Sequence, residues 1–126
     1  MNISPKIQQQ VNDWWRLHGD TSFKPDWGKI KLSSANTKEH NLRVCEICIT
    51  LLEMGVPFAT EARLKTGVRP DIVAPTHVRP IIEVLWSETN EDFLSLKADK
   101  YHRDLFGKWI LHLSLIHISE PTRLNP

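Results

Sequence analysis

No apolar run in this sequence approaches the ~20 residues that cross a bilayer as a helix, and the N-terminus, MNISPKIQQQ, lacks the apolar stretch of a secretory signal. Both absences point to an intracellular, cytoplasmic protein with no membrane partner. Cysteine is scarce. Cys45 and Cys48 are the two in the chain, and no second pair follows to complete a zinc site. Within an apolar helical run they read as small buried or half-buried residues of a reducing compartment. An excess of one charge sign is missing too: the formal net charge is +1. A bulk basic surface for nucleic acid is therefore excluded, and any such contact has to come from a local patch. There are no internal repeats and no low-complexity tracts.

What is present is one domain's worth of chain, 126 residues of ordinary globular composition. That is long enough to bury a core without staples. The last stretch, LSLIHISEPTR at 113–123, is similar to the conceptual translation of a transposon-based sequencing adapter. It is set aside from fold reasoning as a scar. On that reading residues 113–126 are an artefact tail, the natural chain runs to about His112, and the source is phage or environmental.

Residues 4–18 carry Ile7, Val11, Trp14 and Trp15 at helical spacing, with Gly19-Asp20 as the stop. Residues 21–37 read as an ordered loop or short hairpin, and Pro25-Asp26 as a turn. A strong helix follows, capped by Thr37 and stopped at Gly55. Leu42, Cys45, Ile49 and Leu52 mark one face, with Val44, Cys48 and Leu51 beside it. Strands are expected over 57–64, 69–74 and 80–86, a helix from 87 to about 105, and an apolar strand over 108–112. The fold class is α/β, in the order helix, three strands, helix, strand, with residues 1–38 as an N-terminal extension.

The second and third strands form a hairpin whose loop centres near His77. That register sets Asp71 opposite Glu83. Opposed side chains on a sheet lie roughly 4.5–5.5 Å apart, and like charges there are destabilising. A cation would neutralise the pair, and Mg²⁺ takes one or two carboxylates plus water and phosphate. The competing reading is a pair of carboxylates on a solvated face.

Three segments, TEARLKTGVRPDIV at 60–73, PIIEVLWSE at 80–88 and LKADKY at 96–101, together with Glu39 in the preceding helix, make residues 39–112 resemble the core of PD-(D/E)xK nucleases. That family includes restriction endonucleases and Holliday-junction resolvases. The resemblance implies an αβββαβ core with a central mixed sheet flanked by helices. It implies Mg²⁺ or Mn²⁺, with Asp71 and Glu83 as ligands, Glu39 completing the metal shell through water (Glu46 is its rival), and phosphodiester hydrolysis. It also implies DNA as partner, and a homodimer where two strands are cut.

One expected residue is missing. The family pattern places lysine two positions after the second carboxylate, and here that position is Leu85. Lys97 is the best substitute, because it shares a helical face with Phe93 and Tyr101. A lysine on an apolar face either reaches a site or snorkels to water. Lys100 is a weaker candidate, and Glu88 reads as a helix N-terminal charge or a further site residue. Arg63, Lys65, Arg69 and Lys100 are the candidate phosphate contacts, and Glu61 lies where it would line the site. Trp14, Trp15 and Trp27 read as core aromatics rather than base-stacking platforms. The expected function is a Mg²⁺-dependent DNA endonuclease. The alternative is an inactive nuclease-fold module that binds nucleic acid or a protein partner.

Overall fold

A computed structural model of the chain describes residues 3–85 and 110–114, with Leu85 and 110–114 as backbone alone. Two helices and a four-stranded mixed sheet make up the described residues, an α/β arrangement. Helix α1 spans Pro5–His18. Ser4 caps it, its hydroxyl accepting from Ile7 N–H, and proline stands at the start, where its missing N–H costs nothing. Helix α2 spans Lys38–Met54. Thr37 accepts from His40 N–H at one end, and Gly55 at φ 72° closes the other.

The strands are β1 (Ala59–Thr60), β2 (Ile72–Val73), β3 (Ile81–Leu85) and β4 (Ile110–Ser114). They lie in chain order, β1-β2-β3-β4. The first three are antiparallel, and β4 is parallel to β3, with Ile81 opposite Ile110 and Leu85 opposite Ser114. Parallel neighbours need a crossover connection, and residues 86–109 make it. The helix expected from 87 to about 105, with Glu88, Lys97 and Lys100, lies outside the described residues.

Each face of the sheet has its own apolar cluster. Ala59, Val73 and Ile81 pack with Ala62 and Leu64, against Trp14, Trp15 and Trp27. Phe58, Ile72, Ile82 and Val84 pack with Val44, Cys48 and Leu51 of α2. The sheet is therefore covered on both sides, which is why its short strands are apolar without clean alternation. Phe58 is fully buried. Truncating it to alanine is expected to cost ~3–5 kcal/mol by transfer and cavity terms.

The three tryptophans behave as core residues. Trp15 meets Trp27 edge to face at 5.9 Å, and Trp14 lies 4.8 Å from the His18 ring. The Trp15 ring crowds Gly19 so closely that a β-carbon there would collide with it. The glycine that ends α1 thus also makes room for the ring.

Helix α2 corrects one expectation. Val44, Cys48 and Leu51 face the sheet, while Leu42 and Ile49 are 53% and 47% exposed. Both stripes are apolar and adjacent on the helix, so periodicity alone does not choose between them. The residues that contact Phe58, Ile72 and Ile82 settle it. The strands are also shorter than expected. Glu61, at φ 57°, ends β1 two residues after it starts, and Leu64 returns only as an isolated bridge to Gly19. The last strand runs past its expected end at 112, so Leu113 and Ser114 of the adapter-like stretch pair with β3, while its expected start at 108 and 109 lies outside the described residues.

Candidate functional site

The β2–β3 hairpin has Ile72 opposite Ile82 and Val73 opposite Ile81. This is the register expected from a loop centred at His77. One step further along, Asp71 stands level with Glu83. The backbone ladder does not continue to that level. Pro70 has no N–H to give, and the Asp71 side chain takes over: its Oδ2 accepts Val84 N–H at 2.7 Å. Glu83 reaches back, with Oε1 accepting Asp71 N–H at 3.2 Å. Each carboxylate thus stands in for a backbone carbonyl. These bonds offset much of the cost of holding carboxylates here, where Glu83 is 7% exposed and the Asp71 side chain 20%.

The same level extends across the sheet. The β1–β2 register puts Glu61 one step past Thr60 and Ile72, level with Asp71. The β3–β4 register puts His112 opposite Glu83. Glu83 and His112 are thus paired across β3 and β4, while Asp71 and Glu61 stand one residue beyond the ends of β2 and β1. At this level β1 turns away through the left-handed conformation of Glu61, which few non-glycine residues adopt.

The α2 residue that meets Asp71 is His40. Its Nε2 lies 3.0 Å from Asp71 Oδ1. A carboxylate only accepts hydrogen bonds, so Nε2 carries the proton in this contact. The sequence pointed to Glu39 as the helix residue of the site. Glu39 is exposed on the first turn of α2, and its neighbour makes the contact. Glu46, the rival, pairs with Arg43 at 3.4 Å. His40 follows Glu39 in the first turn of α2, and only the docking of the helix on the sheet shows which of the two meets Asp71.

A cavity of about 230 Å³ opens beside Asp71, and Glu61, Lys31 and Arg69 line it. Of the expected phosphate contacts, the structure brings Arg69 there. Arg63 instead pairs with Asp20 at 3.5 Å. Exposed Lys65 donates its backbone N–H to His18 O, on the side of the sheet that carries α1. Lys97, Lys100 and Glu88 lie outside the described residues.

Both cysteines are free of disulfides, Cys45 half-buried and Cys48 buried. Burial first, and then the neighbouring Cys45, push the Cys48 thiol up to about 12. Asp20 and Asp26 lie below the usual carboxylate range. Hydrogen bonds from Ser22 hold Asp20 down, and the Lys31 ammonium holds Asp26 down, at 2.5 Å.

Among the described residues, no three His, Cys, Asp or Glu side chains are arranged to hold a metal ion. The two carboxylates that stand together here are Asp71 and Glu83. In donor type that pair suits a hard divalent cation, which takes one or two carboxylates and fills its shell with water and phosphate. Among the described residues, no helix is long and apolar enough to cross a membrane. No family model, no curated protein and no solved structure matches the chain.

Proposed function

We propose that this chain is a PD-(D/E)xK-type nuclease domain that hydrolyses DNA phosphodiester bonds with Mg²⁺ or Mn²⁺. One observation carries the reading: Asp71 and Glu83 stand level at the end of an apolar hairpin, locked through backbone N–H groups, and Asp71 lines a cavity that also carries Lys31 and Arg69. The mixed sheet, with β4 parallel to β3 across the connection 86–109, supports the αβββαβ core.

Asp71 and Glu83 would hold the cation. When bound, it supplies charge neutralisation at the phosphate and an acidified water. The chain's own residues do the rest. The Val84 and Asp71 N–H groups keep the two carboxylates oriented before anything binds. His40 holds Asp71 Oδ1 as an outer partner, the role second-shell groups play around metal ligands. Arg69 offers a planar fork for phosphate oxygens. Lys97 is the proposed replacement for the lysine missing at Leu85, stabilising negative charge as it develops. The test is Mg²⁺-dependent nicking of supercoiled plasmid. Wild type is expected to cut, and Asp71→Asn to lose at least a hundredfold. Cutting that survives the substitution sinks the assignment.

A second reading has its own support. Both Asp71 oxygens already have partners, Leu85 stands where the lysine belongs, and no three-residue metal cluster exists among the described residues. These features favour a nuclease-fold module that binds nucleic acid or a protein partner without cleaving. DNA binding that persists with no metal uptake and no nicking selects it.

A further inference from the structure

We propose that the outer face of α2 docks an amphipathic helix of a partner protein, apolar along one stripe and rich in lysine or arginine beside it. The surface lies on the side of α2 turned away from the sheet, so the inference does not rest on the nuclease reading.

Helix α2 is apolar on two sides. Val44, Cys48 and Leu51 are buried against the sheet. Away from it, Leu42, Ile49 and Leu52 are 53%, 47% and 41% exposed, with half-buried Cys45 among them. The steps from 42 to 45, 49 and 52 are three, four and three residues, the spacing of a coiled-coil seam. A helix lying on a sheet ordinarily turns a polar face outward. A single exposed leucine needs no explanation, but this seam runs most of the length of a 17-residue helix, roughly 25 Å at 1.5 Å per residue.

The charges beside the seam select the occupant. Glu39, Glu46 and Glu53 follow one another at seven-residue steps, so they form a stripe along its edge. All three are exposed. Arg43 touches Glu46 at 3.4 Å, yet the Glu46 side chain stays 54% exposed. An acidic stripe repels nucleic acid and anionic lipid, both of which are held by basic residues. It also disfavours a second copy of this chain. Laid antiparallel, two such seams pair Leu42 with Leu52 and Cys45 with Ile49, and the same register sets Glu46 against Glu46 and Glu39 against Glu53. Among the exposed residues of α2, Lys38 alone carries a positive charge to answer them. Laid parallel, the stripe meets Asn41 and Cys48, which bring no cation. A helix with lysine or arginine beside its own apolar seam satisfies both features at once. Charges flanking a seam choose coiled-coil partners in this way, and like charges across an interface reject the wrong ones.

The experiment is fluorescence anisotropy of the full chain with three labelled peptides, each of three heptads. The first has leucine at both seam positions and lysine at both flanking positions. The second replaces its lysines with glutamate, and the third replaces its leucines with serine. The lysine peptide is expected to bind saturably, and the other two at least tenfold more weakly. Leu42→Ser and Ile49→Ser should each weaken the lysine peptide at least fivefold, with the circular dichroism spectrum unchanged. Replacing Glu39, Glu46 and Glu53 together by glutamine should weaken it at least fivefold and flatten its dependence on salt. Bound peptide should slow alkylation of Cys45 at least threefold. No binding of the lysine peptide overturns the proposal, as does equal binding of the lysine and glutamate peptides or an unchanged Kd in Ile49→Ser. A dimer in sedimentation velocity that Ile49→Ser abolishes makes a second copy the occupant and overturns the partner helix. Plasmid nicking is expected to be unchanged in Ile49→Ser, so this proposal and the nuclease reading fail separately.

Discussion

At its turn end the β2–β3 hairpin closes mainly through backbone bonds, with Ala74 N–H donating to Pro80 O at 2.7 Å and His77 N–H to Ala74 O at 3.0 Å, and the His77 ring accepting Arg79 N–H within the turn. At its open end the same two strands are joined by side chains, with Val84 N–H on Asp71 Oδ2 and Asp71 N–H on Glu83 Oε1. A backbone carbonyl is neutral and serves the ladder only. A carboxylate in its place keeps the strands together and adds charge, and Asp71 also lines the neighbouring cavity. The proposed function rests on the open end of this hairpin. The other end makes the turn. The open end is held in a way that costs electrostatic repulsion unless something positive is near.

The largest expected effect breaks the open end. Asp71→Asn and Glu83→Gln should each lower Mg²⁺-dependent nicking at least a hundredfold while the circular dichroism spectrum stays native. A core substitution common to both ends, Ile82→Ala, should destabilise by ~2–5 kcal/mol in urea melts. It tests whether loss of activity can be told from loss of fold. His40→Ala removes the outer partner of Asp71 and should weaken Mn²⁺ binding about tenfold, the low end of second-shell effects.

The turn end should respond mildly. His77 Nδ1 accepts Arg79 N–H at 3.0 Å. His77→Ala should cost ~0.5–1.5 kcal/mol of stability, the worth of one hydrogen bond, and leave nicking unchanged. The smallest effect lies away from both ends. The Cys48 thiol is raised from 9.0 to about 12 in the folded chain. Its contribution to stability is therefore fully present below pH 9 and is lost as pH rises toward about 12. Thiol-reagent kinetics at pH 8 should show Cys45 reacting first and Cys48 only on unfolding.

Local signals carried much of this structure. Thr37 and Gly55 bound α2 because cap chemistry depends on a few adjacent residues. The hairpin register followed from its loop, which also depends on near neighbours. Elements decided by distant packing were less legible. Which stripe of α2 is buried depends on Phe58, Ile72 and Ile82, far off in sequence. The break in β1 depends on Glu61 adopting φ 57°, which its residue type does not announce. His40 was passed over for Glu39 because a one-residue offset on a helix turns the side chain by about 100°, and only the docked helix shows which of the two meets Asp71. Lys31 reaches the cavity through the loop before α2, whose path is set by Thr60 and by the bond from Asn41 of α2 to Ser33 rather than by any periodic pattern.

The central claim is that the open end of the hairpin holds a divalent cation through two carboxylates. Calorimetric titration of Mn²⁺ into the wild-type chain and into the Asp71→Asn, Glu83→Gln double variant tests it most directly. The account predicts saturable binding to wild type that the double variant loses. Equal binding by both, or none by wild type, contradicts it.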